Sequence, residues 1–133
     1  MANRVLLVED EAHIVEAIRF LLEREGWTVD THGDGASALE KVDQTAPDLL
    51  VLDYMLPGRS GLDIIKDLRQ RPHLANLPIL MLTAKGQAKD REQAERAGVT
   101  RFMTKPFSNR EILTAVRDMM YLALREREDA SQQ

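Results

Sequence analysis

The sequence contains no cysteine. Disulfides and thiolate zinc sites are therefore excluded, and any metal must be held by oxygen or histidine donors. Long apolar runs are missing as well. The stretch Val5-Leu6-Leu7-Val8 is too short for a signal peptide, and no later segment approaches a membrane span, so a soluble, cytoplasmic chain without membrane insertion is expected. Positive charge is not in excess either. Eighteen Lys and Arg against 22 Asp and Glu leave a net charge of -4, which argues against direct nucleic-acid binding, because phosphate-backbone affinity comes from clustered Lys and Arg. No repeat, linker or low-complexity segment interrupts the 133 residues, and 44% hydrophobic content suits one globular core.

The chain is organised around Leu49-Leu50-Val51-Leu52-Asp53-Tyr54-Met55-Leu56-Pro57-Gly58. Four apolar residues fit a strand buried on both faces; Pro57-Gly58 supplies turn chemistry, and Asp53 sits where burial ends. Val5 to Val8 repeats the pattern and ends in Glu9, Asp10 and Glu11. Beyond Ala12 the period becomes helical, with Ile14, Val15, Ile18, Leu21 and Leu22 on one face and Gly26 as the stop. Trp27 to His32 reads as a strand, Gly33-Asp34-Gly35 as a turn, and Ala36 to Ala46 as a short amphipathic helix. Leu62 to Arg71 gives a third helix ended by Pro72, and Leu77 to Thr83 a fourth strand. Gln87 to Ala97 has only a thin apolar stripe, so a solvent-facing, mobile helix is expected. Arg101 to Thr104 forms the last strand. Ser108 and Glu111 then make a capping box for a final helix bearing Ile112, Leu113, Val116, Met119, Met120, Ala123 and Leu124. Five strands alternating with five helices predict a parallel α/β sheet. The folded domain is expected over 1–124, with 125–133 a frayed polar tail.

Open parallel sheets bind ligands beyond the carboxyl ends of their strands. There the chain gathers Glu9, Asp10, Asp53, Thr83 and Lys105. Three neighbouring carboxylates repel and call for a hard divalent cation. Mg2+ suits them, taking Asp10 and Asp53 directly and Glu9 through water, and Mn2+ is an acceptable substitute. Lys105 offers a point charge and Thr83 a hydrogen-bond donor for an anion. Taken singly, Thr83 is an ordinary strand-end hydroxyl, Lys105 a surface lysine, and the acids helix-start residues favoured by the macrodipole. Taken together they describe a carboxylate that becomes phosphorylated, since in-line phosphoryl transfer needs positioning and charge neutralisation above all.

On these motifs the sequence resembles the receiver domains of two-component response regulators, the chemotaxis-protein type. Val8-Glu9-Asp10-Glu11 matches the family's acidic pair, and Leu52 to Gly61 its phosphoacceptor loop. Leu82-Thr83-Ala84 matches its hydroxyl position, and Lys105-Pro106-Phe107 its lysine motif; the likeness covers residues 4–122. The resemblance implies a flavodoxin-like fold with strand order 2-1-3-4-5. It implies that Asp53 takes a phosphoryl group from a histidine kinase or histidine phosphotransfer protein, with Mg2+ on Asp10, Asp53 and the Met55 carbonyl. Thr83 and Lys105 then bind phosphoryl oxygens, and Phe102 rotates inward, changing a surface of the fourth helix, fifth strand and fifth helix that meets a downstream protein. It further implies a cis bond before Pro106, and roles for Met55 and Lys85 in tuning hydrolysis. No separate substrate turnover is implied.

Two departures concern self-association. Thr100-Arg101 stands where related winged-helix regulators have an acidic pair, and Ala115 where they have an arginine. The apolar run Met119 to Leu124 exceeds what one face needs, and points either to weak pairing through the last helix or to the start of a connector into an output domain of a longer parent. His13, His32 and His73 suggest nothing beyond solvated or turn positions. An aspartyl phosphotransferase of the haloacid dehalogenase type would need an acid where Met55 stands, and a flavin module would not carry Glu9-Asp10-Glu11 in its phosphate loop. A receiver within a longer multidomain regulator would share all the site chemistry.

Overall fold

The computed structural model describes residues 3–84 and 88–131. Its strands are β1 (Arg4–Val8), β2 (Thr28–His32), β3 (Leu49–Asp53), β4 (Ile79–Thr83) and β5 (Arg101–Thr104). Its helices are α1 (Ala12–Arg24), α2 (Ala38–Thr45), α3 (Gly61–Gln70), α4 (Ala88–Ala97) and α5 (Asn109–Ser131), with a single 3-10 turn at Pro72–Leu74. The strands form one sheet in the order β2-β1-β3-β4-β5, and every pairing is parallel. Both the fold class and the strand order therefore agree with the sequence reading.

Alternation along the strands divides the apolar side chains between two layers. Val5, Leu7, Leu49, Val51, Leu80 and Leu82 face α1 and α5, where Ile18, Leu22, Ile112 and Val116 complete one core. Leu6, Val8, Leu50, Leu52, Ile79 and Met81 face the other helices, where Val42, Ile64, Ile65 and Leu68 complete the second. Each such side chain, fully withdrawn from water, contributes roughly 1.5–3 kcal/mol. Asp53 is the last residue of a strand buried at every position, so the sheet carries it to the edge without letting it reach bulk water.

Element ends differ from expectation where main-chain donors decide. β4 starts at Ile79 because Pro78 has no N–H for the ladder. Trp27 stays out of β2 because its N–H closes α1 on the Leu22 carbonyl, at 3.2 Å. α2 begins at Ala38, two residues late, because the Ala36 N–H is taken at 3.1 Å by Asp34 Oδ1 in the preceding turn. The capping box forms as read: Ser108 N–H reaches Glu111 Oε1 and Glu111 N–H reaches Ser108 Oγ, both at 3.1 Å. α5 continues through Ser131, because Arg, Glu and Ala beyond Leu124 are strong helix formers.

Candidate functional site

The register of four strands builds the site. Val8 pairs with Leu52, Asp53 with Leu82 and Thr83 with Thr104, so Glu9, Asp53, Thr83 and Lys105 reach the same edge one step apart. Lys105 N–H closes it by donating to the Thr83 carbonyl at 2.6 Å. Glu9, Asp53 and Thr83 are all buried, whereas Asp10 is exposed. Carboxylate oxygens of Glu9, Asp10 and Asp53 lie within 4.8 Å of one another. The set is all oxygen, with two members withdrawn from water and one facing it, which fits a hard, partly hydrated divalent cation.

Charge is balanced here through one lysine. Lys105 Nζ stands 2.8 Å from Glu9 Oε1, 3.3 Å from Glu11 Oε1 and 3.4 Å from Asp53 Oδ1. Burial alone would make the ammonium easier to deprotonate, yet the facing acids outweigh it and hold Lys105 above its ordinary value. Glu9 moves the other way for an acid. Burial pushes its carboxyl up to about 7, against the pull of Lys105 and the Glu11 N–H, and Asp53 adds to the rise. The partner Glu11, beside the acidic pair, is a site contact the sequence reading did not assign; its position next to Glu9 and Asp10 was the available signal.

The remaining candidates surround this cluster. Met55 is 60% exposed, and its N–H points at Asp53 Oδ1 from 3.4 Å. The Lys105-Pro106 peptide bond is cis. Phe102 is partly buried against the α2–α4 layer, and the guanidinium of Arg91 from α4 covers its ring at 5.4 Å. Lys85 lies outside the described residues. Thr100 turns its hydroxyl onto the β4 backbone, accepting from Ile79 N–H at 2.9 Å, and Arg101 faces Asp118 of α5 at 3.7 Å within the chain. His13 is solvated, with Glu11 3.7 Å away. His32 is not a turn residue: it ends β2 and bonds Ser37. The apolar stretch on α5 divides, with Met119, Met120 and Ala123 buried and Tyr121 and Leu122 exposed.

A family model described as the response regulator receiver domain matches residues 5–117. The chain belongs to that family. Receiver domains are the phosphoacceptor modules of two-component signalling. The chain is 40% identical over 120 residues to the phosphate regulon transcriptional regulatory protein PhoB of Escherichia coli, covering 90% of this chain and 52% of that one. It is 42% identical over 120 residues to the alkaline phosphatase synthesis transcriptional regulatory protein PhoP of Bacillus subtilis, covering 90% and 49%. It thus spans about half the length of these relatives. The chemotaxis response regulator CheY4 of Vibrio cholerae superposes with a TM-score of 0.84 at 27% identity, over 90% of this receiver and 99% of that chain. Among the receiver's described residues, no helix is long and apolar enough to cross a membrane.

Proposed function

We propose that Asp53 is the phosphoacceptor of this receiver, taking its phosphoryl group from a phosphohistidine on a sensor kinase or phosphotransfer protein. The observation that carries this is the setting of Asp53: buried at a strand end, 3.4 Å from Lys105 Nζ and inside the three-acid cluster. An Asp53 carboxylate oxygen forms the new P–O bond as the P–N bond of phosphohistidine breaks, and the electron pair leaves with the imidazole. Glu9, Asp10, Asp53 and the Met55 carbonyl would hold Mg2+, or Mn2+ in its place. A bound divalent ion supplies charge neutralisation for the transferring group. Lys105 then exchanges part of its hold on Glu9 and Asp53 for a phosphoryl oxygen, and the Thr83 hydroxyl donates a hydrogen bond to another. Met55 and Lys85 modulate hydrolysis, and no turnover of a separate substrate is assigned.

The output reading is a partner contact. Thr83 and Phe102 are adjoining-strand residues on the α4 side of the sheet, and a shift of either alters the α4-β5-α5 surface on which a downstream protein docks. The receiver unit spans 1–124, Leu124 being packed against the core. Weak self-pairing would use Tyr121 and Leu122, about 60% exposed on the last helix; no direct nucleic-acid contact is assigned to this unit.

Phosphoramidate, a small P–N donor, tests the reading. With Mg2+ the intact mass should rise by one phosphoryl group, and neither chelator-treated protein nor Asp53→Asn should gain it. An adduct that survives in Asp53→Asn, at the wild-type rate, would contradict the assignment.

A further inference from the structure

The loop that carries Met55 is held from a neighbouring turn. Between Tyr54 and Gly61, one main-chain hydrogen bond reaches residues 55–60 from another part of the described chain: Gly35 N–H to the Pro57 carbonyl, 2.9 Å. The two loops cross closely. A Cβ on Gly35 would run into the Arg59 carbonyl, and Gly58, at φ 85°, lies where a Cβ would meet Asp34 Oδ1 at 2.9 Å.

What fixes Gly35 is a chain of side chains around it. Asp34 Oδ1 accepts from Ala36 N–H at 3.1 Å, and Asp34 Oδ2 accepts from Ser37 Oγ at 3.1 Å. Ser37 Oγ is also 2.8 Å from His32 Nε2. The hydroxyl has one proton, and the carboxylate can only accept, so Ser37 donates to Asp34 and His32 donates to Ser37 through Nε2–H. Ser37 occupies the N-cap position of α2 yet makes no side-chain cap bond. A capping hydroxyl ordinarily stabilises its helix; here it is turned away from the helix and toward the turn.

We propose that His32, Ser37 and Asp34 are positioning residues for the divalent-ion site: by fixing the Gly33-Asp34-Gly35 turn they pin the Pro57 carbonyl and so set where the Met55 carbonyl stands. The proposal rests on the reading of Met55, Glu9, Asp10 and Asp53 as that site. None of the three positioning residues touches the ion, so their removal changes affinity and leaves the acids in place.

The experiment is a calorimetric Mg2+ titration of the full chain in wild type, Ser37→Ala, Ser37→Thr and Asp53→Asn, with thermal melts in chelator beside it. Ser37→Ala should weaken Mg2+ binding by about tenfold, the low end of what outer-shell partners of metal sites contribute. Its chelator melt should stay close to wild type, since the hydroxyl caps nothing. Ser37→Thr, which keeps the hydroxyl, should restore the affinity. Phosphorylation of Ser37→Ala by phosphoramidate should be slow at low Mg2+ and recover at saturating Mg2+. Wild-type affinity in Ser37→Ala overturns the proposal, as does an equal loss in Ser37→Thr, while both leave the site reading standing. Failure of the wild type to bind Mg2+, or undiminished binding in Asp53→Asn, overturns the site reading and this proposal with it.

Discussion

The two ends of the sheet treat charge differently. At the carboxyl end, Glu9 and Asp53 are buried against a single lysine, and burial lifts Glu9 to about 7. At the amino end, charged groups are settled by ordinary partners. Arg4 meets Asp30 at 2.9 Å and gives its N–H to Asp48 at 2.8 Å. Arg69 spends its guanidinium on main-chain carbonyls, reaching Gly98 at 2.8 Å and Leu74 and Ala75 at 3.0 Å; burial alone makes it somewhat easier to deprotonate. Two edges of one fold thus differ: one holds buried carboxylates against a single cation, the other fastens helices to strands.

pH distinguishes the two edges, and the largest effect should come from Lys105→Met. In chelator at pH 8 this change leaves a buried Glu9 carboxylate without its cation, costing about 3 kcal/mol in urea unfolding. At pH 5 Glu9 is largely protonated in the folded state, and the loss should fall to about 1 kcal/mol. Lys105 itself is charged in both states over this range, because its raised value places its own titration above 10.5.

Glu9 sets the next effect. Between its ordinary value of 4.5 and about 7, the folded protein binds a proton that the unfolded chain has released, so stability is greatest below this window and falls as pH rises through it. The decline in the metal-free protein should amount to at most about 3 kcal/mol, and Glu9→Gln should flatten it. A steeper slope in Glu9→Gln would contradict the assignment of the pH dependence to Glu9.

At the opposite edge, Arg69→Met should cost about 2 kcal/mol by stranding carbonyls, equally at pH 5 and pH 8. Arg4→Ala, which breaks a half-exposed pair, should cost only about 0.5 kcal/mol. Neither change should alter phosphorylation by phosphoramidate at saturating Mg2+.

The sequence made much of this visible because apolar strands that end in acids are hard to read otherwise. Leu49 to Asp53 and Val5 to Asp10 specified both the sheet and the edge where the acids gather, and the capping box at Ser108 marked the start of the last helix. What stayed hidden depends on side chains choosing between partners. Ser37 falls inside the helix expected over Ala36 to Ala46, and only the fold shows its hydroxyl committed to Asp34 and His32. Glu11 reads as a helix-start acid, and only the strand register brings Lys105 within 3.3 Å of it. Arg91 over Phe102 joins α4 to β5, a contact that no local period encodes. α5 runs past Leu124 to Ser131, an extension set by the helix propensity of Arg, Glu and Ala and not by any apolar period.

Borohydride trapping tests the central claim most directly. Protein phosphorylated by a small acyl-phosphate donor with Mg2+ is reduced with labelled borohydride, which converts an aspartyl phosphate to homoserine, and the labelled peptide is sequenced. The label should fall at position 53 alone and vanish when Mg2+ is chelated. Label at any other residue, or a phosphoryl adduct at a hydroxyl that resists borohydride, would contradict the account.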